Sequence, residues 1–217
     1  ALIAPSFTEP EALLAAAGVP IEHVVLDPPF GLAGARVPEQ ADLVVVGNPT
    51  NPTGVTHTRA DILALRRPGR LLVVDEAFAD AIPGEPQSLA GQRLDPADGD
   101  VLVLRSLTKT WGLAGLRVGY ALGDPALLTR LAARRQHWPV NTLALEAIAA
   151  CCAPEAVAQA AAEAADLAEL RTQMAAGLTG IGVDVVPGQA PFVLFTVEDA
   201  ELVRNRLADN GIAIRRG

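Results

Sequence analysis

Uninterrupted apolar runs alternate with polar, turn-rich segments along the first 123 residues. Leu-Val-Val-Val at 43–46, Leu-Leu-Val-Val at 71–74 and Val-Leu-Val-Leu at 101–104 have no polar position. That is the pattern of strands covered by helices on both faces. Together with Ala1–Ala4, His23–Leu26 and Val118–Leu122 they predict six strands. Glu9–Ala17 and Ala60–Leu65 have the composition of helical crossovers between them, so the first part of the chain reads as a mostly parallel α/β sheet. Ligand chemistry in such sheets gathers at the carboxyl ends of the strands.

The texture changes near residue 124. Pro125–Arg135 predicts a helix that His137-Trp138-Pro139 breaks, and alanine-rich Thr142–Cys152 and Glu155–Leu178 predict two more around Pro154. Strands are expected at Val183–Val186 and Phe192–Val197, then a helix at Ala200–Asp209 closed by Gly211 and a strand-like run at Ile212–Arg215. The expectation is a large domain over residues 1–150 and a small α+β domain over 151–217. The chain opens on a strand and stops on a strand-like run, so both domains are expected to be partial.

Composition narrows the function classes. The chain has 217 residues, half of them apolar, and a net charge of -8, which fits a packed globular protein and not a disordered one. Its longest basic runs are pairs such as Arg134-Arg135, so nucleic acid is not an expected partner. No apolar stretch reaches the roughly 18 residues that a membrane span needs. Cys151 and Cys152 are adjacent and lack metal-ligand spacing; they read as small helix residues in a reducing, cytoplasmic setting.

Three of the predicted strands end in polar clusters. Leu43–Val46 runs into Gly-Asn-Pro-Thr-Asn-Pro-Thr-Gly, Leu71–Val74 into Asp75-Glu76-Ala77-Phe78, and Val101–Leu104 into Arg105-Ser106-Leu107-Thr108-Lys109. If these strands are parallel neighbours, Asn51, Asp75, Ser106 and Lys109 share one rim, with Arg117 just before the next strand. Each residue also has a plain reading: Asn-Pro pairs form ordinary turns, an acid after a strand can cap a turn, and an arginine can pair on the surface. Lysine usage favours chemistry. Of 17 basic residues the sequence contains one lysine, Lys109, and 17 − 1 = 16 arginines. A guanidinium stays charged, whereas a lysine amine can lose its proton and attack a carbonyl. An amine, an acid, an amide, a hydroxyl and a guanidinium together answer the aldehyde, ring nitrogen, phenolic oxygen and phosphate of pyridoxal phosphate.

The motifs NPTNPTG, VVDEAF and SLTKTWGLAGLRVGY, in this order, resemble the class I/II aminotransferases, fold-type-I enzymes that use pyridoxal 5'-phosphate. Within the family the closer resemblance is to the branch that holds histidinol-phosphate aminotransferases and threonine-phosphate decarboxylases; PSFTEPEA, DEAFAD and HWPVN are similar to the latter and to related cobalamin-pathway proteins. The resemblance implies that Lys109 forms the Schiff base and moves the substrate's α-proton. It implies that Asp75 keeps the ring nitrogen protonated, Asn51 meets the phenolic oxygen, Ser106 and Arg117 bind phosphate, and Phe7 lies over the ring. It also implies cis peptides at Pro5 and Pro52, a small-molecule amino substrate, and a homodimer of the longer enzyme. The implied activity is transamination of an amino acid or amino-alcohol phosphate; the alternatives are threonine-phosphate decarboxylation and a non-catalytic module that senses the cofactor. Phe78 departs from the family's usual tyrosine and lacks its hydroxyl. His23, His57 and His137 fit no catalytic set and are expected at the surface or in turns, while Trp111 and Trp138 fit either core or near-site packing.

Overall fold

The computed structural model describes residues 1–216. Six strands, β1 (Leu2–Ala4), β2 (His23–Val25), β3 (Leu43–Gly47), β4 (Leu71–Asp75), β5 (Asp100–Ser106) and β6 (Gly119–Gly123), form one sheet in the order β2-β1-β3-β4-β5-β6. β2, β1, β3, β4 and β5 run parallel, and β6 returns antiparallel to β5. A parallel neighbour requires a long crossover. Residues 107–118 supply only a 3-10 turn at Ala114–Leu116, so the strand doubles back. Gly119 permits this close return, because a Cβ there would lie 2.7 Å from the Arg105 carbonyl oxygen.

The apolar runs account for the core. Val44, Val46, Leu72 and Val74 are buried to within 1% of their surface, and Ile62 of helix α2 (Arg59–Leu63) packs with them. Thr58 starts α2 by accepting a hydrogen bond from the Asp61 amide, which satisfies one of the free N–H groups at a helix start. Helix α1 (Glu9–Ala16) buries none of its residues.

After β6 come α3 (Pro125–Ala132), α4 (Thr142–Cys151) and the long α5 (Pro154–Gly180). Asp124 and Asn141 cap α3 and α4 through their side-chain oxygens. α5 packs against the 3-10 turn Ala79–Ala81 that follows β4. The two-stranded ladder of β7 (Asp184–Val185) and β8 (Phe195–Thr196) and helix α6 (Ala200–Asp209) complete the fold. Both strands are shorter than the apolar pattern predicts, since only two residues of each find a partner. Ile212–Arg215 forms no strand, because neither ladder extends to it. Gly211 does close α6, with φ +79 and its amide on the Ala208 carbonyl.

No single helix among the described residues is long and apolar enough to cross a membrane; α4 and α5 together pass by length and composition but are bent by 73°. His23 is exposed beside Glu11, at 3.2 Å, and His137 is exposed. His57 corrects the surface expectation: it is 3% exposed, enclosed by the loop after β3. Trp138 is 90% exposed and belongs to no core, whereas Trp111 is half-buried.

Candidate active site

The register of the central strands brings the polar clusters together. Gly47 pairs with Asp75 across β3 and β4, and Asp75 pairs with Leu104 across β4 and β5. Three parallel strands therefore release their loops at one level of the sheet. An open cleft lies there, and Phe7, Asn51, Asp75 and Lys109 all line it, with Ser6, Gly47 and Phe78.

Asp75 is mostly enclosed. Burial pushes its carboxyl above the usual range, while the Ala77 N–H, donated to Oδ1 at 3.0 Å, and the Lys109 ammonium pull the other way. An acid of raised pKa beside an amine in a cleft is a pairing common to reactive sites. Lys109 itself is exposed, and its Nζ stands 5.1 Å from the centroid of the Phe78 ring, within range of a cation–π attraction. Phe78 meets Phe192 edge to face, with centroids 5.2 Å apart and planes at 79°. The side chain in the usual tyrosine's place is thus an apolar and cationic contact here.

The Asn51 loop is tied at many points. Asn48-Pro49 and Asn51-Pro52 are both cis, as is Ala4-Pro5 before Phe7; cis Pro28-Pro29 lies elsewhere. The Thr50 hydroxyl donates to the Gly47 carbonyl at 2.9 Å and lies 3.1 Å from His57 Nε2. With its one proton committed to Gly47, Thr50 can only accept from that nitrogen, so Nε2 carries the proton. The His57 amide donates to Asn48 Oδ1 at 2.8 Å. Burial holds the imidazole below its ordinary pKa, against the opposing pull of Asp61. The Gln189 and Ala190 amides reach the Gly54 carbonyl, so the segment before β8 also anchors this loop.

Ser106 and Arg117 do not line the cleft. Ser106 Oγ is 2.8 Å from Thr108 Oγ1, and Arg117 is exposed with Nη1 donated to the Ala114 carbonyl at 3.1 Å. Both flank the Lys109 loop, since Ser106 ends β5 and pairs with Gly119, two residues after Arg117. Arg117 holds a left-handed backbone, φ 55 and ψ 51, which costs a non-glycine residue roughly 1–2 kcal/mol. Such an outlier beside a cleft is a reason to look for a role.

Sequence reasoning missed an ionic cluster beneath Asp75. Glu76 has no exposed surface and accepts from Ser88 Oγ at 2.6 Å, the Leu89 amide at 2.7 Å and Arg105 Nη1 at 3.0 Å. Arg105 also meets Glu85 at 2.5 Å. Burial alone would lower the guanidinium's pKa, but Glu85 first, with Glu76 and Tyr120 adding, raises it. The available signal was the arginine inside VLVLRS and a second acid directly after Asp75. Arg105→Met should cost about 3–5 kcal/mol by leaving Glu76 buried without its cation, and Arg105→Met with Glu76→Met should recover most of that. Urea midpoints measure both; a single variant as stable as the wild type would refute the pairing.

The whole fold matches known aminotransferases. A histidinol-phosphate aminotransferase from Clostridium acetobutylicum superposes with a TM-score of 0.85 over 99% of this chain and 67% of its own, at 22% identity, a likeness of fold. The sequence profile of aminotransferase class I and II matches residues 31–217, and the chain belongs to that family. A histidinol-phosphate aminotransferase of Mycobacterium tuberculosis is 64% identical over all of this chain, which spans 58% of that protein's length. A threonine-phosphate decarboxylase of a Sinorhizobium species is 34% identical, again over the whole chain and 62% of its own length.

Proposed function

We propose that this chain carries most of the cofactor half of a pyridoxal-phosphate-dependent aminotransferase acting on an amino-alcohol phosphate or amino acid. The observation behind the reading is that the single lysine of the sequence shares one cleft with a half-buried carboxylate, an asparagine amide and an aromatic face. The donor set fits the group. Lys109 would hold its aldehyde, Asp75 the ring nitrogen, Asn51 the phenolic oxygen and Phe7 the ring face; Ser106 and Arg117, which bracket the Lys109 loop, would hold its phosphate. When bound, pyridoxal phosphate supplies an electron sink for charge left on the substrate's α-carbon.

The residues' tasks follow from their chemistry. Asp75 keeps a proton on the ring nitrogen, and its enclosure strengthens that charge-assisted bond. Lys109 Nζ, exposed at the mouth of the cleft, moves the α-proton. Phe78 shields one side of the amine from water and cannot donate a hydrogen bond. Relatives named histidinol-phosphate aminotransferases, at 64% and at 33% identity, favour histidinol phosphate as substrate.

Threonine-phosphate decarboxylation is the second reading. It is favoured by Phe78 in place of the usual tyrosine and by the decarboxylase relative that matches the whole chain. The two differ in the bond broken at the α-carbon. Intact protein with pyridoxal phosphate should convert histidinol phosphate and 2-oxoglutarate to the corresponding ketone phosphate and glutamate. Carbon dioxide from threonine phosphate without glutamate formation would reverse the choice. Neither product, with cofactor covalently held, would favour a sensing module.

The working protein is proposed to be a homodimer in the cytoplasm, consistent with free Cys151 and Cys152. A monomeric mass in solution, or recovery in an exported fraction, would reject this.

A further inference from the structure

We propose that Asp80 is a positioning residue for Lys109, acting through the hydroxyl of Thr110. The inference rests on the reading of Lys109 as the reactive amine. Thr110 Oγ1 donates to Asp80 Oδ2 at 2.5 Å, joining the loop after β5 to the 3-10 turn after β4. This bond crosses 30 residues of sequence and ends on the residue next to the amine.

Asp80 has no evident structural alternative. It makes no cap for its own 3-10 turn, since that turn has no side-chain cap bond. Among the described residues it forms no ion pair, although Arg105, which meets Glu76 and Glu85, attracts it from farther off. Its second oxygen, Oδ1, is buried without a partner. Burial pushes its carboxyl above the usual range, against the Thr110 bond and Arg105, which pull it down, and with Glu85, which adds to the rise. Of the interactions that offset its burial, the Thr110 hydroxyl is the largest, ahead of Arg105 and Asp80's own amide, and it is the one that reaches the Lys109 loop.

The geometry gives the bond a function. The stretch from Asp75 to Asp80 touches the amine's surroundings three times: Asp75 lines the same cleft, the Phe78 ring lies under Nζ, and Asp80 holds the adjoining residue. Lys109 must release and regain its covalent partner in each turnover. Its long side chain moves freely, so the return of Nζ to one place depends on a fixed backbone. Thr110 anchored to Asp80 supplies that fixed point, and α5 packed on the 79–81 turn keeps the anchor still.

The lone lysine makes the test site-specific. In the intact protein without pyridoxal phosphate, acylation of Lys109 by an activated ester can be followed by peptide mass spectrometry at one pH, apart from the N-terminal amine. Thr110→Val should raise the Lys109 labelling rate roughly three- to tenfold as the amine leaves its place beside the Phe78 ring and the Asp75 carboxylate. Thr110→Ser should restore the wild-type rate, and Asp80→Asn should fall between. With limiting pyridoxal phosphate and borohydride, the pyridoxyl group fixed on Lys109 should drop in Thr110→Val and recover in Thr110→Ser. Wild-type labelling in Thr110→Val, or no rescue by serine, would overturn the proposal, with the thermal transition showing that each variant is folded. Were no variant, nor the wild type, to retain a pyridoxyl group while the labelling rates still shifted, the cofactor reading would fail and the anchor would stand.

Discussion

Lys109→Arg is expected to abolish covalent retention of pyridoxal phosphate while leaving the fold intact. The variant keeps a cation near the Phe78 ring and Asp75, so the electrostatic surroundings of the cleft change little. A substitution at an exposed position away from the core typically alters stability by no more than about 0.5 kcal/mol, and Lys109 is exposed. A guanidinium, however, does not give up its proton and cannot attack an aldehyde. Borohydride treatment should fix no pyridoxyl group at residue 109, and the visible band of the loaded protein should vanish. Turnover should fall on the order of 10²–10⁴-fold from loss of proton transfer alone, and further from loss of the covalent step. The sequence holds no other lysine to substitute. A borohydride-stable adduct elsewhere in the chain, or near-normal turnover, would refute the assignment.

How far the sequence reached depended on the range of the forces involved. The apolar runs at 43–46, 71–74 and 101–104 announced β3, β4 and β5, because burial on both faces leaves no room for polar residues. Their parallel order then brought Asn51, Asp75 and Lys109 to one cleft, since strand ends in register share a rim. The direction of β6 was less legible. It is set by what lies between Ser106 and Gly119, where a 3-10 turn replaces a helix. The small ladder was overestimated, since apolar runs at 183–186 and 192–197 specify strand character but not how many residues find partners. His57 was misread because nothing local marks Thr-His-Thr as buried; its enclosure comes from the fold of the preceding loop on Thr50 and Asn48. Glu76 and Arg105 lie 29 residues apart and meet only through the pairing of β4 with β5. Ser106 and Arg117 reached the flank of the cleft but not its wall, because motif spacing fixes a backbone position and not a rotamer.

Asp75→Asn should uncouple stability from activity, gaining the first and losing the second. The Asp75 carboxyl is raised above its ordinary 3.8 chiefly by burial, with the Ala77 amide and Lys109 only partly opposing. For an acid of raised folded pKa, the folded state holds more protons than the unfolded one between 3.8 and the folded value. Stability therefore falls as pH rises through that window. Asparagine is neutral throughout and can still accept the Ala77 N–H. In cofactor-free protein at pH 7 the variant should melt higher by about 2–4 °C for each kcal/mol of relief. The gap should close in acid below 3.8, where the wild-type acid is protonated in both states. With pyridoxal phosphate present, the neutral amide no longer holds a proton on the ring nitrogen. Activity should then drop on the order of 10²–10³-fold, the scale for removing one preorganised charge contact. Thermal melts across pH with and without cofactor, beside single-turnover rates, separate the effects. Equal melting at pH 7 would mean that the carboxylate is solvated in the cleft, and undiminished turnover would remove Asp75 from the chemistry. Both gains and losses arise from one feature: a charge kept in an enclosed place, unfavourable to the fold and useful only when a ring nitrogen is there to meet it.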